Sequence, residues 1–249
     1  MKLSLAGVLA DARTLWRSER ELLLPIAGAF FVVPMLGIIL LLAGSGFPGD
    51  IPPEKLREAV MAFYAANLLP ILLANLAIDF GTFAMLNLYL QGGGRTLGEV
   101  LMLTLRRLLP WLAIDIVAAL LFSFGSSLLL LPGLFAFGRT WLAGPAFAAM
   151  PERGVIEAFR QGWRSSAGFG WIVLLAAAGF VLLCALMLVV VSTGVLAGLG
   201  AAVGDEQIVV AIGYVVTAVI GGFAWSALAV LRVAAYSRTA SGQGPRQGM

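Results

Sequence analysis

The sequence predicts an all-α, polytopic membrane protein. Of its 249 residues, 61% are hydrophobic and 12% are charged, and the mean hydropathy is +0.99. Soluble domains carry about 25% charged residues, so this chain lacks the polar side chains that a water-facing surface requires. The apolar residues form runs long enough to cross a bilayer, and the basic residues collect on one side of those runs. These three observations set the fold class.

The apolar runs predict six transmembrane helices, because a helical span needs about 20 residues to cross about 30 Å of hydrocarbon. We expect one transmembrane domain, residues 1–240, and a disordered tail, residues 241–249, which is rich in Gly, Gln, Pro and Arg. The predicted spans are 22–43, 64–90, 109–131, 133–150, 169–199 and 207–232. A tight turn at Leu131-Pro132-Gly133 joins the third span to the fourth.

Lysine and arginine are distributed unevenly around these spans. Thirteen lie in the N-terminal segment, in the loops after the second and fourth spans, and in the tail, whereas the opposite loops hold only Lys55 and Arg57. The sixteenth, Arg139, lies within the fourth span. Because basic residues are retained in cytoplasmic loops, this pattern predicts two cytoplasmic termini. It leaves no separate basic patch, so we expect no nucleic-acid partner.

A short amphipathic helix is predicted before each of three helical hairpins. The three segments begin at Ser4, Thr96 and Gly154, and in each of them apolar residues recur at helical spacing with arginines off the apolar face. We expect these helices to lie in the cytoplasmic interface, with their apolar faces in the acyl chains and their arginines at the phosphates. The arginines assigned to lipid headgroups are Arg13, Arg17, Arg106, Arg107, Arg160 and Arg164.

One part of the chain resembles a bacterial family. Residues 131–145 are Leu-Pro-Gly-Leu-Phe-Ala-Phe-Gly-Arg-Thr-Trp-Leu-Ala-Gly-Pro, and residues 157–165 are Glu-Ala-Phe-Arg-Gln-Gly-Trp-Arg-Ser. This pattern resembles the glycerophosphoryl diester phosphodiesterase membrane domain and the related YciC-like membrane proteins, best over 95–185. The resemblance implies a module of the bacterial inner membrane that is involved with lipids or the envelope. It implies no chemistry, since the catalytic domains fused to such modules are soluble barrels.

The residue types that usually perform catalysis are missing or isolated. The chain has no histidine, which removes the commonest general base and metal ligand and any histidine-activated nucleophile. The single cysteine, Cys184, lies within an apolar run and is interpreted as a packing residue. We therefore expect a protein that is not an enzyme and that holds neither a metal nor a cofactor.

Polar and charged side chains interrupt the predicted spans at Asn67, Asn75, Asp79, Thr82, Asp115 and Arg139. A charge in the middle of a span costs at least about 2.5–3.5 kcal/mol, so it is expected to find a partner. In one interpretation, Asp79 and Arg139, each near the centre of its span, form a buried ion pair that fixes helix packing. In the other, they and Asp115 line a polar cavity for a headgroup or solute. We prefer the ion pair.

Two functions follow from these features. The leading hypothesis is a non-catalytic integral inner-membrane protein that contacts membrane lipids, anionic ones on the cytoplasmic side, or other envelope proteins. The alternative is a transporter or permease subunit that moves a small solute or lipid through the polar cavity. Small residues at the spacing of Gly194 and Gly198 predict close helix approach, either within the chain or in self-association or contact with a membrane-protein partner.

Overall fold

The computed structural model describes residues 3–45, 52–91, 94–150, 152, 154–203 and 206–241. These residues form helices joined by short connections, and none of them lies in a β-strand. The helices are α1 Leu5–Ser18, α2 Arg20–Ala27, α3 Val33–Gly44, α4 Leu56–Ala66, α5 Leu68–Leu90, α6 Leu97–Arg106, α7 Leu108–Leu128, α8 Leu130–Thr140, α9 Ala143–Ala149, α10 Gly154–Ser165, α11 Gly170–Val203 and α12 Glu206–Ser241. Apart from Ser241, the predicted disordered tail lies outside the described residues.

Five helical segments of the described chain are long and apolar enough to cross a membrane. They are Arg20–Gly44, Leu68–Leu90, Leu108–Leu128, Gly170–Gly200 and Gln207–Ala240. The first of them contains α2 and α3, which a π-helical turn over Gly28–Val32 joins. The predicted fold class, an all-α polytopic membrane protein, is confirmed.

The fourth predicted span, 133–150, is not one continuous helix. It consists of α8, with 11 residues, and α9, with 7 residues, separated by a turn at Trp141 and Leu142. The turn from α7 into α8 lies at Leu129, which has extended backbone angles (φ −161°, ψ 155°), and not at residues 131–133 as predicted. Pro132 instead lies in the first turn of α8. Backbone N–H groups in a first turn make no hydrogen bond within the helix, so a proline there removes none.

Together, α8 and α9 follow α7 along its whole length. Near the Leu129 turn, a Cβ on Gly125 would lie 2.8 Å from the backbone nitrogen of Gly133, so the two helices touch through their backbones. At the opposite end, Arg107, just before α7, donates a hydrogen bond to the carbonyl oxygen of Phe147 in α9 (3.0 Å). This antiparallel pairing supports a sixth, broken pass, although the number of membrane crossings stays a prediction.

The chain packs as two compact units. Unit 1 consists of Met1–Leu24, Thr82–Leu183 and Ser226–Met249, and unit 2 of Pro25–Gly81 and Cys184–Trp225. The core of unit 1 is formed by three helix segments that are buried on all sides, residues 82–88 of α5, 143–148 of α9 and 233–236 of α12. In unit 2, a Cβ on Gly222 would lie 2.5 Å from a side-chain carbon of Val32, so α12 and the π-helical turn make close contact there.

The three predicted amphipathic helices are α1, α6 and α10. Ser4 caps α1 by accepting a hydrogen bond from the backbone N–H of Gly7 (3.3 Å), and Thr96 and Glu99 form the predicted capping box of α6. The backbone N–H and hydroxyl of Thr96 donate to the Glu99 carboxylate and lower its pKa. In the structure, these helices also pack against protein, where they bury Val8, Ala12, Val100, Thr104, Ala158 and Gly162.

Three of the elbows between an amphipathic helix and the next long helix share one backbone conformation. Glu19 has φ −120° and ψ 19°, Asn67 has −116° and 24°, and Arg107 has −115° and 11°. Asn67 joins α4 to α5, so α4 is a fourth amphipathic helix of this arrangement. Leu-Leu-Pro follows Asn67 and Arg107, and it also follows Leu129, the turn before α8. This repeated signal was not recognised in the sequence.

The contact between α10 and α9 depends on a glycine. A Cβ on Gly162 would lie 2.5 Å from the backbone nitrogen of Ala143, whereas a Cβ on Gly179 of α11 would meet nothing within 4 Å. We predict that Gly162→Ala lowers the unfolding free energy by about 1–3 kcal/mol because it overpacks this contact. Gly179→Ala, the control, should be neutral or slightly stabilising. Thermal unfolding of both purified variants measures the difference, and equal stabilities would contradict the close α9–α10 contact.

Candidate functional site

The break between α8 and α9 exposes a backbone oxygen that another helix satisfies. In a continuous helix, the carbonyl oxygen of Trp141 would accept from the N–H of residue 145, but Pro145 has no N–H and its ring crowds that carbonyl. Arg232 of α12 supplies the missing donor, since its Nε lies 3.1 Å from the Trp141 oxygen. A charged donor is well suited to this role in an apolar core, where an unpaired carbonyl is costly.

Close packing holds Arg232 at the break. A Cβ on Gly144 would lie 2.6 Å from the Trp111 ring and 2.7 Å from Nη2 of Arg232, so any larger residue at this position would displace the indole or the guanidinium. The Arg232 guanidinium carbon also lies 5.6 Å from the centre of the Trp111 ring, within the range of a cation–π contact. The first turn of α9 is therefore enclosed by Trp111 of α7 and Arg232 of α12.

Arg107 performs a similar role at the other end of α9. Its Nη2 donates to the Phe147 carbonyl oxygen, and its guanidinium carbon lies 4.5 Å from the Phe147 ring centre and 5.8 Å from that of Phe83. Phe83 in turn stacks on Trp111, with ring centres 4.7 Å apart. Burial among these rings lowers the pKa of Arg107, but a guanidinium remains charged at neutral pH. Two arginines thus donate to backbone carbonyls around α9, Arg232 to Trp141 in the turn before it and Arg107 to Phe147 within it.

Arg139 differs from Arg107 and Arg232. It lies in the last turn of α8, with its guanidinium carbon 4.5 Å from the Trp163 ring centre and 5.8 Å from that of Phe135. Its side chain forms no hydrogen bond or ion pair with any described residue, and its Nε is fully buried. The position also differs from the prediction, which placed Arg139 near the centre of an unbroken span.

The neighbours of Arg139 belong to the elbow between α10 and α11. Ser166 of that elbow donates a hydrogen bond to the Arg139 carbonyl oxygen (3.1 Å). Phe135 makes edge-on contacts with Trp163 of α10 and with Trp171 at the start of α11, at ring-centre distances of 5.9 and 5.3 Å. Arg139 is therefore level with the beginning of a candidate span and beside Trp163, a residue type that favours membrane interfaces.

The other predicted intramembrane polar residues are divided between the two units. Asn67 and Asn75 lie in unit 2, where their side-chain amides donate to carbonyl oxygens of their own helical segment, 3.0 and 2.9 Å away. Asn75 also lines a cavity of about 330 Å³ with Ile38, Leu42, Val60, Phe63, Tyr64 and Ile71. Asp79 belongs to unit 2 and Arg139 to unit 1, and their ion pair stays a prediction.

Thr82 and Asp115 belong to unit 1 together with Arg139. Thr82 is buried within α5, and Asp115 is half-buried on α7. Asp115 and Arg139 form no ion pair in the structure. Asp115, the alternative partner considered for Arg139, therefore does not neutralise it.

Five of the six arginines assigned to headgroups are exposed, namely Arg13, Arg17, Arg106, Arg160 and Arg164. Arg160 also pairs loosely with Glu157 of its own helix (3.7 Å). The sixth, Arg107, points inward to α9 as described. The sequence did not indicate that Arg107, unlike Arg106, points into the protein, nor that Arg232 has a structural role beyond setting the membrane orientation. The available signal was Pro145 within the predicted fourth span, because a proline there breaks the helix and leaves a carbonyl oxygen that needs another donor.

A second arginine of α12 fixes α1 in unit 1. The Arg238 guanidinium donates two hydrogen bonds to the Asp11 carboxylate, one of them from Nη2 to Oδ1 at 2.9 Å. These bonds lower the pKa of the Asp11 carboxyl. Tyr89 of α5 donates a further hydrogen bond to the Leu15 carbonyl oxygen (2.9 Å). The first amphipathic helix is thus held by polar contacts with α12 and α5.

A double-mutant cycle tests the role of Arg232. We predict that Arg232→Met lowers the unfolding free energy by about 1.5–3 kcal/mol, because the Trp141 carbonyl loses a charged donor. In a Pro145→Ala background, the new N–H of residue 145 can donate to that carbonyl, so the loss should shrink by at least about 1 kcal/mol. Thermal unfolding of the two single variants and the double variant measures the coupling. Strictly additive losses would show that Arg232 does not compensate for the proline.

Comparison with known proteins adds no family to this description. No family model, no curated protein and no solved structure matches the chain. The resemblance to the glycerophosphoryl diester phosphodiesterase membrane domain and the YciC-like proteins therefore stays a proposal that rests on residues 131–145 and 157–165.

Proposed function

We propose that the protein is a non-catalytic module of the bacterial inner membrane that binds anionic phospholipid headgroups through its basic amphipathic helices. The observation that carries the proposal is the surface of α1, α6 and α10. Each of these helices presents one or two exposed arginines together with exposed large apolar side chains. A surface of this composition suits a membrane interface, which accepts apolar groups on one side and cations on the other.

Helix α10 shows this composition most clearly. Ile156 is 72% exposed and Trp163 is 40% exposed, and both lie on the same helix as the exposed Arg160 and Arg164. In water, these apolar side chains would add an unfavourable hydrated surface. In the interface, the tryptophan and isoleucine enter the acyl-chain boundary while the arginines remain at the phosphates.

Helices α1 and α6 repeat the arrangement. In α6, Met102 and Leu105 are more than half exposed and Arg106 follows them at the surface. In α1, the exposed Leu5 shares the helix with the exposed Arg13 and Arg17. Each arginine near an anionic leaflet contributes about 1 kcal/mol of attraction, which is screened by salt. Five exposed arginines therefore favour an anionic surface over a zwitterionic one.

The proposal places both termini and the three basic helices on the cytoplasmic side. The one-sided distribution of lysine and arginine supports this orientation. The transporter hypothesis stays an alternative. The cavity in unit 2 gives it little support, because most of the described residues that line it are apolar and only Asn75 and Tyr64 among them are polar.

Lipid retention by the purified protein tests the proposal. We predict that replacing Arg106, Arg160 and Arg164 with glutamine reduces the ratio of phosphatidylglycerol to phosphatidylethanolamine that remains bound after detergent extraction. Each lost charge should weaken the interaction by about 1 kcal/mol, roughly fivefold in affinity. The matched control, Lys55→Gln with Arg57→Gln, changes charges that are predicted to face the opposite leaflet and should leave the ratio unchanged. An unchanged ratio in the triple variant would show that these arginines only orient the chain.

A further inference from the structure

We infer that Arg139, Trp163 and Phe135 form a binding site for one phosphate group, supplied by the headgroup of an anionic phospholipid. The inference deepens the proposed function, on which it rests, by assigning one specific site to one class of ligand. It also moves Arg139 from the predicted intramembrane ion pair to the lipid-binding surface.

The first step is the unused hydrogen-bonding capacity of Arg139. Arg107 and Arg232 each donate to a backbone carbonyl, and Arg238 and Arg160 each pair with a carboxylate. The guanidinium of Arg139 has no acceptor among the described residues. Of the three nitrogens of Arg139, Nε is fully buried without a hydrogen-bond partner. The two terminal nitrogens, Nη1 and Nη2, are not buried in this way and remain accessible at the surface of the half-buried side chain. A guanidinium presents these N–H groups as a planar fork that matches two phosphate oxygens.

The second step is the fixed orientation of this fork. The Trp163 ring lies 4.5 Å from the guanidinium carbon, and Phe135 packs edge-on against both Trp163 and Trp171. These contacts hold the guanidinium in place before any ligand arrives. A donor that is already ordered loses little conformational entropy when an anion binds, so the site is preorganised for a bidentate contact.

The third step is the identity of the phosphate. The residue after Trp163 in α10 is Arg164, whose side chain is exposed. Phe169, in the elbow between α10 and α11, is 82% exposed, and Ile172 at the start of α11 is also exposed. A free phosphate ion has no group that would contact these apolar side chains, whereas a phospholipid brings acyl chains below its phosphate. The combination therefore fits a lipid phosphodiester rather than a soluble anion.

The test measures binding of short-chain lipids to the purified full-length protein in detergent by native mass spectrometry. The probes are dihexanoyl phosphatidylglycerol, dihexanoyl phosphatidylcholine and inorganic phosphate. We expect Arg139→Gln to weaken phosphatidylglycerol binding at least tenfold, and Arg139→Lys to weaken it less, because lysine keeps the charge but loses the fork. The control Arg57→Gln removes an exposed charge that is predicted to face the opposite leaflet, so it should change the affinity less than twofold.

The outcomes separate this inference from the proposed function. If the wild-type protein prefers phosphatidylglycerol to phosphatidylcholine but Arg139→Gln binds it equally well, the inference is overturned and the proposed function stands. If the wild-type protein shows no such preference, the proposed function fails and the inference with it. Inorganic phosphate that binds as tightly as the lipid would overturn the lipid assignment. If Arg139→Gln does not fold, Trp163→Leu replaces it, and an unchanged affinity in that variant would equally overturn the site.

Discussion

The carbonyl oxygen of Trp141 has no donor within its own helix, and much of unit 1 is arranged around that deficit. Pro145 removes the donor, and a backbone acceptor buried among apolar side chains cannot turn to water instead. Arg232 reaches it from α12, a contact that spans 91 positions of the chain. Gly144 has no side chain, which leaves room for the Arg232 guanidinium, and the Trp111 ring packs beside both residues. The hydrogen bond from Arg232 to the Trp141 carbonyl thereby joins α12 to the turn between α8 and α9, and Trp111 of α7 packs against Arg232.

The arginines around this core differ in the hydrogen-bond acceptors that their guanidinium N–H groups contact. Arg232 and Arg107 have structural roles, because Arg232 donates to the Trp141 carbonyl oxygen in the turn before α9 and Arg107 to the Phe147 carbonyl oxygen within α9. Arg139 lies on Trp163 and donates to no described residue. This difference in acceptors is what separates a structural arginine from a candidate ligand-binding one. The exposed arginines of α1, α6 and α10 form a third group, which is suited to less specific attraction to an anionic surface.

The sequence was sufficient to predict the helices that hydropathy and periodicity define. It was insufficient to predict the contacts that depend on residues far apart in the chain. Five long helices and the capping box at Thr96 were predicted because their signals are local. Arg106 and Arg107 are adjacent and look equivalent, yet the elbow conformation of Arg107 turns its side chain toward α9 while Arg106 remains exposed. The partnership of Arg232 with Trp141 depends on tertiary packing, so neither composition nor spacing revealed it.

The most direct test of this account is whether α8 and α9 together cross the membrane. Single cysteines replace Gly98 in α6, Glu152 between α9 and α10, and Glu58 in α4, each in a Cys184→Ala background. A membrane-impermeant maleimide is then applied to sealed right-side-out and inverted vesicles. We predict that positions 98 and 152 react only in inverted vesicles and position 58 only in right-side-out ones, because α7 and the broken pass form a complete hairpin. Labelling of 98 and 152 from opposite sides would contradict the sixth pass and the shared basic surface.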